Sequence, residues 1–218
     1  MFSRGELQLV TPDEVRDPAF TGLDVWQRQA LVDVCDWAGK FLSRPNTELG
    51  RIGPVCPYTR TAIDAQLFFL ACPRLDDMSF SSLRDTVQEY RDWFLDLRDL
   101  TTDEQQHLLT ILIVLPDFDA ESADELDRLH ASLKDDFVGA GLMVGQFHPK
   151  CQQSGLWNDQ FRPLQAPVPL FAIREMVSSD LPFLVTSDRH AAVYLDRFAK
   201  DMPAHTRRFL VDRIVGKG

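Results

Sequence analysis

The chain lacks the short motifs by which many cofactor and catalytic sites are recognised. Its 218 residues contain no G-x-G-x-x-G, no Walker loop, no H-E-x-x-H and no G-x-S-x-G. The four cysteines also show no C-x-x-C spacing. These absences disfavour a dinucleotide-binding protein, a P-loop enzyme, a zinc peptidase and a serine hydrolase of the nucleophile-elbow type.

The sequence is also poor in basic charge and in long apolar runs. It has 33 acidic residues against 23 lysines and arginines, a net charge of −10, which argues against nucleic-acid and anionic-membrane partners. The sequence contains no run of about 18 apolar residues, so it predicts no transmembrane helix. The first residues lack the apolar core of a secretory signal. We interpret the four cysteines as free thiols, which persist in the reducing cytoplasm, and therefore expect a cytoplasmic location. A homodimer is compatible with the sequence.

What is present is an alternation of apolar runs and amphipathic stretches along one chain of ordinary domain size. The pattern predicts an α+β fold in which helices cover a mixed sheet of four to five strands, followed by C-terminal helices. We expect one domain over 1–218, with an arm at 1–20 and the core at 21–218. The expected strands are 65–71, 108–115, 141–147 and 168–174, and the expected main helices are 23–42, 81–97 and 120–137.

The stretch 141–175 is the most informative part of the sequence. It begins as a buried strand, delivers Phe147-His148-Pro149 at the strand's end, and continues as a polar loop before the next apolar run. Binding residues often lie on loops that a rigid scaffold positions, so this loop is a candidate site. The alternative is an ordered loop whose polar groups only satisfy backbone atoms.

A second loop carries Cys56 between two prolines and ahead of Tyr58. Thiolate and imidazole suit iron, haem iron, copper or zinc, so Cys56 and His148 are candidate ligands. Pro57 offers no amide hydrogen to the sulfur, which leaves electron density on a thiolate. The alternatives are a buried thiol at a turn and a loop histidine bonded to backbone.

Other side chains on the two loops are candidates for contacts with a cofactor or substrate. Arg162 and Arg174 can each bind a carboxylate with two hydrogen bonds, or pair with one of the many acids. Tyr58 and Trp157 can wall a flat cofactor or belong to the core. Asn158 is a candidate substrate contact. Asp117 can receive a substrate ammonium or cap a helix.

Four segments in this order resemble an uncharacterised bacterial family. They are C-P-Y from Cys56, T-I-L-I-V-L-P from Thr110, F-H-P from Phe147, and R-P-L-Q-A-P-V-P-L-F-A-I-R-E from Arg162. More distantly, the layout resembles the haem-dependent amine N-oxygenases of the YqcI/YcgG type. That resemblance implies haem, O₂ and oxidation of an amino group of an amino-acid-like substrate in a biosynthetic pathway.

The leading expectation is therefore a haem-dependent oxygenase acting on a lysine- or arginine-like substrate. His148 is the first choice of axial ligand and Cys56 the second. One alternative is a cofactor-free small-molecule binding or accessory protein. The other is a non-haem metal hydrolase that uses His148, Cys151 and Asp117.

Overall fold

A computed structural model describes residues 1–74, 79–119 and 122–215. The strands, in chain order, are β1 (Phe2–Arg4), β2 (Leu7–Leu9), β3 (Phe68–Ala71), β4 (Thr110–Val114), β5 (Leu142–Phe147) and β6 (Leu170–Glu175). The α-helices are α1 (Pro12–Arg16), α2 (Val25–Trp37), α3 (Thr59–Asp64), α4 (Phe80–Asp99), α5 (Ala123–Gly139), α6 (Leu181–Leu184), α7 (Asp188–Phe198) and α8 (Ala204–Val215).

The central feature is a four-stranded mixed sheet with the order β3-β4-β6-β5. β3 and β4 pair in parallel, whereas β6 is antiparallel to both β4 and β5. β4 and β5 therefore point the same way, and α5 connects them across the intervening β6. The carboxyl ends of β3, β4 and β5 consequently meet at one end of the sheet, which is where loop residues converge.

Helices cover both faces of the sheet because its strands alternate apolar side chains towards each side. α4 and α5 pack on one face against residues that include Phe69, Ile111, Ile113 and Phe171. α1 and α2 pack on the other against residues that include Leu70 and Leu112. The α+β class with its mixed sheet is confirmed, and the two connecting helices α4 and α5 lie on the same face.

The first 20 residues, predicted as an arm, form the β1–β2 hairpin and α1. Val10 exchanges backbone hydrogen bonds of 2.9 and 2.8 Å with Leu70 on the edge strand β3. Thr11 and Glu14 form the capping box that starts α1, with Pro12 in its first turn. Thr11 and Pro12 thus start α1, and the arm is held against the sheet.

The bounds of most predicted elements shift by a few residues, and two of these shifts have a clear cause in the backbone. The helix expected over 23–42 is α-helical from Val25 to Trp37 and continues as a π-helical turn over Ala38–Leu42. The strand expected from residue 65 begins only at Phe68, because Gln66 lies in the left-handed region with φ 58°. α3, which precedes that turn, was not predicted. Residues 120 and 121 of the predicted third helix lie outside the described residues.

α6, α7 and α8 follow the sheet, as predicted. Val138, Met143, Met176, Leu184 and Tyr194 form a third, smaller core beside the β5 edge. Across the parts of the chain that the structure describes, no helix is long and apolar enough to cross a membrane.

Candidate functional site

The end of β5 brings three potential metal ligands together. His148 directly follows the strand, Cys151 lies three residues later, and Asp127 comes from the first half of α5. One ligand atom from each side chain lies within 4.8 Å of the others. His148 and Cys151 are 2% and 1% exposed, whereas 44% of the Asp127 side chain is exposed. The cluster is therefore buried on the sheet side and open on the α5 side.

Hydrogen bonds fix the carboxylate of Asp127 in this cluster. Its Oδ1 lies 3.2 Å from His148 Nε2 and accepts a 2.9 Å hydrogen bond from Gln146 Nε2. An ionised carboxylate only accepts, so this contact favours the histidine tautomer with its proton on Nε2. Nδ1 then carries a lone pair and can accept a hydrogen bond.

The backbone explains why His148 and Cys151 face the same point. Cys151 N donates to His148 O at 3.1 Å, which closes a tight turn across Pro149. His148 N donates to Leu164 O at 3.3 Å, and Gln165 Nε2 donates to Cys151 O at 3.3 Å. The start of the loop is thus tied to its return segment, and the two side chains are held in place before anything binds.

Two polar atoms at the cluster are buried without a hydrogen-bond partner. They are His148 Nδ1 and Gln146 Oε1. An unsatisfied buried polar atom costs about 1–3 kcal/mol, so native structures rarely leave one without a reason. Both atoms are acceptors in the arrangement above. A metal ion, or a water bound to it, would satisfy them.

The thiol of Cys151 is unsuited to act as a nucleophile by itself. Burial raises the pKa of Cys151, and the charge of Asp127 raises it further, against the opposing effects of the Gln153 amide and Arg162. The reactive form of cysteine is the thiolate. A bound cation would reverse this balance, because a coordinating thiol loses its proton.

A cavity of about 200 Å³ adjoins the cluster along the β5 edge. Gln146, which bonds Asp127, also lines this cavity. His130 and Lys134 line it from α5, three and seven residues after Asp127, and therefore near its face of the helix. Its apolar walls include Met143, Phe147, Leu156, Leu164 and Phe183.

His130 and Lys134 are anchored to backbone carbonyls at the cavity. His130 Nε2 lies 3.0 Å from Val144 O on the edge strand β5, and Lys134 Nζ donates to Phe183 O at 3.0 Å. Burial lowers the pKa of both side chains. Perturbed groups that line a cavity are candidates for function.

Arg174 lines the same cavity, as expected for a substrate contact, but its charge is already paired. Its Nη1 and Nη2 bond the two oxygens of the buried Asp180 at 2.7 and 2.6 Å. Burial by itself would lower the pKa of Arg174, yet the bonds to Asp180 keep it above its ordinary value. The guanidinium therefore joins β6 to the segment before α6.

The other predicted site residues lie apart from the cluster. Cys56 is half-buried and is not among the ligands grouped with His148 in the described residues. The Tyr58 ring packs edge-on against His107, with centroids 5.8 Å apart. Asp117 is exposed and acts electrostatically on Cys72. Asp127 takes the place in the cluster that was expected for Asp117.

The loop residues expected to contact a cofactor or substrate mostly hold the loop itself. Trp157 is 68% exposed. Asn158 Nδ2 donates to Glu48 O at 2.7 Å, which joins this loop to residues 47–49. Arg162 donates to the carbonyls of Asp159 and Phe161.

Sequence reasoning missed Asp127, His130 and Lys134 on α5, and Gln146 on β5. Their signal was present: a polar residue inside a buried strand, and polar residues at helical spacing facing it. The signal was missed because the helix over 120–137 was predicted only as one that covers the sheet.

The observed contacts give haem little support at His148. The His148 ring is buried, and its Nε2 lies 3.2 Å from Asp127 Oδ1. Neither His148 nor Cys56 lines the 200 Å³ cavity. Sites for drug-sized ligands are roughly 300–1,000 Å³, so a large planar cofactor does not fit there. The residues suit a single metal ion better.

Comparison with known proteins adds one finding. A domain of unknown function, DUF6875, matches residues 31–209. The chain belongs to the DUF6875 family. No curated protein and no solved structure matches it. The DUF6875 match spans both candidate loops, the cluster and the cavity, and the expectation of an uncharacterised family is confirmed.

Proposed function

We propose that this protein is a metal-dependent hydrolase whose metal is bound by Asp127, His148 and Cys151. The observation that carries the proposal is the convergence of three ligand types within 4.8 Å of one another, at a histidine whose ring is buried. The proposal keeps the hydrolase alternative from the sequence and replaces Asp117 by Asp127.

Zinc suits this donor set best. It accepts thiolate, imidazole and carboxylate together, and structural zinc sites almost always have four protein ligands. Three such side chains converge within the described residues. A three-ligand site that leaves one position for water is the pattern of catalytic zinc, which lowers the pKa of its bound water to about 7.

The surrounding residues have defined roles in this proposal. Asp127 would ligate the ion beside His148 Nε2, which lies 3.2 Å from Asp127 Oδ1 and would exchange that contact for the ion. Gln146 would position Asp127 with its amide group, and its unpartnered Oε1 would be available as an acceptor for the hydrolytic water. The adjacent cavity offers space for a small substrate.

The distant resemblance to the YqcI/YcgG-type enzymes keeps haem-dependent N-oxygenation as an untested prediction. A cytoplasmic location is likewise part of the proposal, supported by four cysteines that are free in the structure. Purified protein mixed with hemin decides the haem question: a Soret band lost in His148→Ala would support the oxygenase.

Calorimetric zinc titration of chelator-treated protein tests the proposal. We expect one strong site in the wild type and at least a tenfold loss of affinity in His148→Ala and in Cys151→Ser. Cys56→Ser and the exposed His205→Ala are the matched controls and should bind zinc normally. If the wild type binds no zinc, or if His148→Ala binds it equally well, the metal centre is wrong.

A further inference from the structure

The cavity beside the metal cluster contains a cation without a carboxylate partner. Among the described residues, no carboxylate forms an ion pair with Lys134, whose ammonium has one hydrogen bond, to Phe183 O. Its neighbour Asp135 instead pairs with Arg189 and with His190, the latter at 2.6 Å. A lysine ammonium carries three donors, so two remain for a ligand.

The other charged group in the cavity does not compete for that ligand. Arg174 is held by both oxygens of Asp180 and by the Glu175 carbonyl. That pair is electrically neutral, so among the described residues that line the cavity only Lys134 contributes net charge. A half-buried ammonium without a carboxylate partner can form a charge-assisted hydrogen bond with an anion.

The remaining walls define the rest of the ligand. Met143, Phe147, Leu156, Leu164 and Phe183 are apolar, and the cavity of about 200 Å³ lies below the range for drug-sized ligands. Such a wall suits a short hydrocarbon chain. The positive charge of Lys134 beside these apolar side chains therefore suits a small molecule with one carboxylate and a short hydrocarbon chain.

Gln146 connects the cavity to the metal cluster. It bonds Asp127 and lines the cavity, whereas none of the three metal ligands lines it. Lys134 lies seven residues after Asp127, which is about 10 Å along the helix axis at 1.5 Å per residue. A substrate held by Lys134 would therefore have to reach past Gln146 to the metal.

We infer that the cavity binds small carboxylates through Lys134, and that the substrate is an amide or ester whose free carboxylate is held there. The binding inference stands on the cavity alone, whereas the statement about substrate rests on the proposed function. It also differs from the amine selectivity expected from sequence, because the unpaired charge is positive.

The test uses hexanoate and its neutral isostere hexanamide, titrated by NMR into metal-free protein. We expect hexanoate to bind at residues of the cavity and hexanamide to bind more weakly. Lys134→Met keeps the length of the side chain but removes its charge. It should weaken the affinity for hexanoate by about tenfold to a hundredfold, which corresponds to the loss of one charge-assisted hydrogen bond. Lys134→Arg should retain binding. The exposed Lys40→Met is the matched control and should match the wild type.

The outcomes separate this inference from the metal centre. No hexanoate binding to the wild type, or equal binding by Lys134→Met, would overturn the carboxylate site while leaving zinc binding intact. Unchanged hexanoate binding in His148→Ala would show that the carboxylate site exists independently of the metal.

Discussion

At the scale of single residues, burial and hydrogen bonding decide which of the candidate side chains can act. His148 and Cys151 were proposed from their chemistry, and both lie in the cluster. Arg174 and Asn158 were proposed on equal grounds, but each is engaged in holding the fold. Residue type and loop position do not distinguish these cases, because the partners Asp180 and Glu48 are known only from the structure.

His130 should make the stability of the protein sensitive to acid. Burial lowers the pKa of His130, and the charge of Lys134 lowers it further. The hydrogen bond to the Val144 carbonyl and the charge of Asp127 raise the pKa, but burial outweighs them. Below the ordinary histidine pKa of about 6.5, His130 binds a proton in the unfolded chain but stays neutral in the folded chain. Stability therefore falls as the pH drops through that value and down to the folded pKa.

Urea unfolding at about pH 7.5 and about pH 5 measures this effect, with each unit of pKa shift equivalent to about 1.4 kcal/mol. His130→Gln keeps an N–H donor and removes the titration, so it should lose less stability on acidification than the wild type. The control His205→Gln is exposed and should follow the wild type. Equal losses in the wild type and His130→Gln would contradict the assignment.

At the scale of secondary structure, the turn between α5 and β5 sets the direction of the strand that ends at His148. Gly141 has φ +76°, and a Cβ there would overlap the guanidinium of Arg197, which pairs with Glu175. Gly139, two residues earlier, is helical, and a Cβ there meets nothing within 4 Å.

The two glycines should therefore respond oppositely to alanine. Gly141→Ala should lower the free energy of unfolding by about 1 kcal/mol or more, because alanine avoids positive φ. Gly139→Ala should be neutral or stabilise by up to about 1 kcal/mol. Denaturant midpoints compare the pair, and a larger loss in Gly139→Ala would refute this account of the turn.

Apolar periodicity was enough to predict all four strands of the main sheet and its long helices. Continuous apolar runs such as Leu108–Leu115 mark strands buried on both faces. The short helix α3 and the left-handed Gln66 were missed because the sequence there carries no period and the turn uses no glycine. The pairing of β6 between β4 and β5 is set by long-range contacts, which a local pattern does not encode.

At the scale of the whole molecule, the site depends on chain topology. Asp127 and His148 are 21 residues apart in sequence and meet because α5 returns along the edge strand it precedes. The sequence indicated the loop that carries His148 and Cys151, but the third member of the cluster comes from the helix α5, which packs on the sheet. For the same reason, the net charge of −10 said nothing about the positive charge at the cavity wall.

A metal bound by Asp127, His148 and Cys151 would join α5, the end of β5 and the loop that follows. Cobalt(II) is the direct probe, because it substitutes for zinc and its absorption spectrum reports the number and type of its ligands. We predict that chelator-treated wild-type protein and cobalt(II) give a sulfur-to-cobalt charge-transfer band that saturates at one equivalent. Cys151→Ser should lose this band, His148→Ala should weaken it, and Cys56→Ser should retain it. Absence of the band in the wild type, or its persistence in Cys151→Ser, would contradict the metal centre.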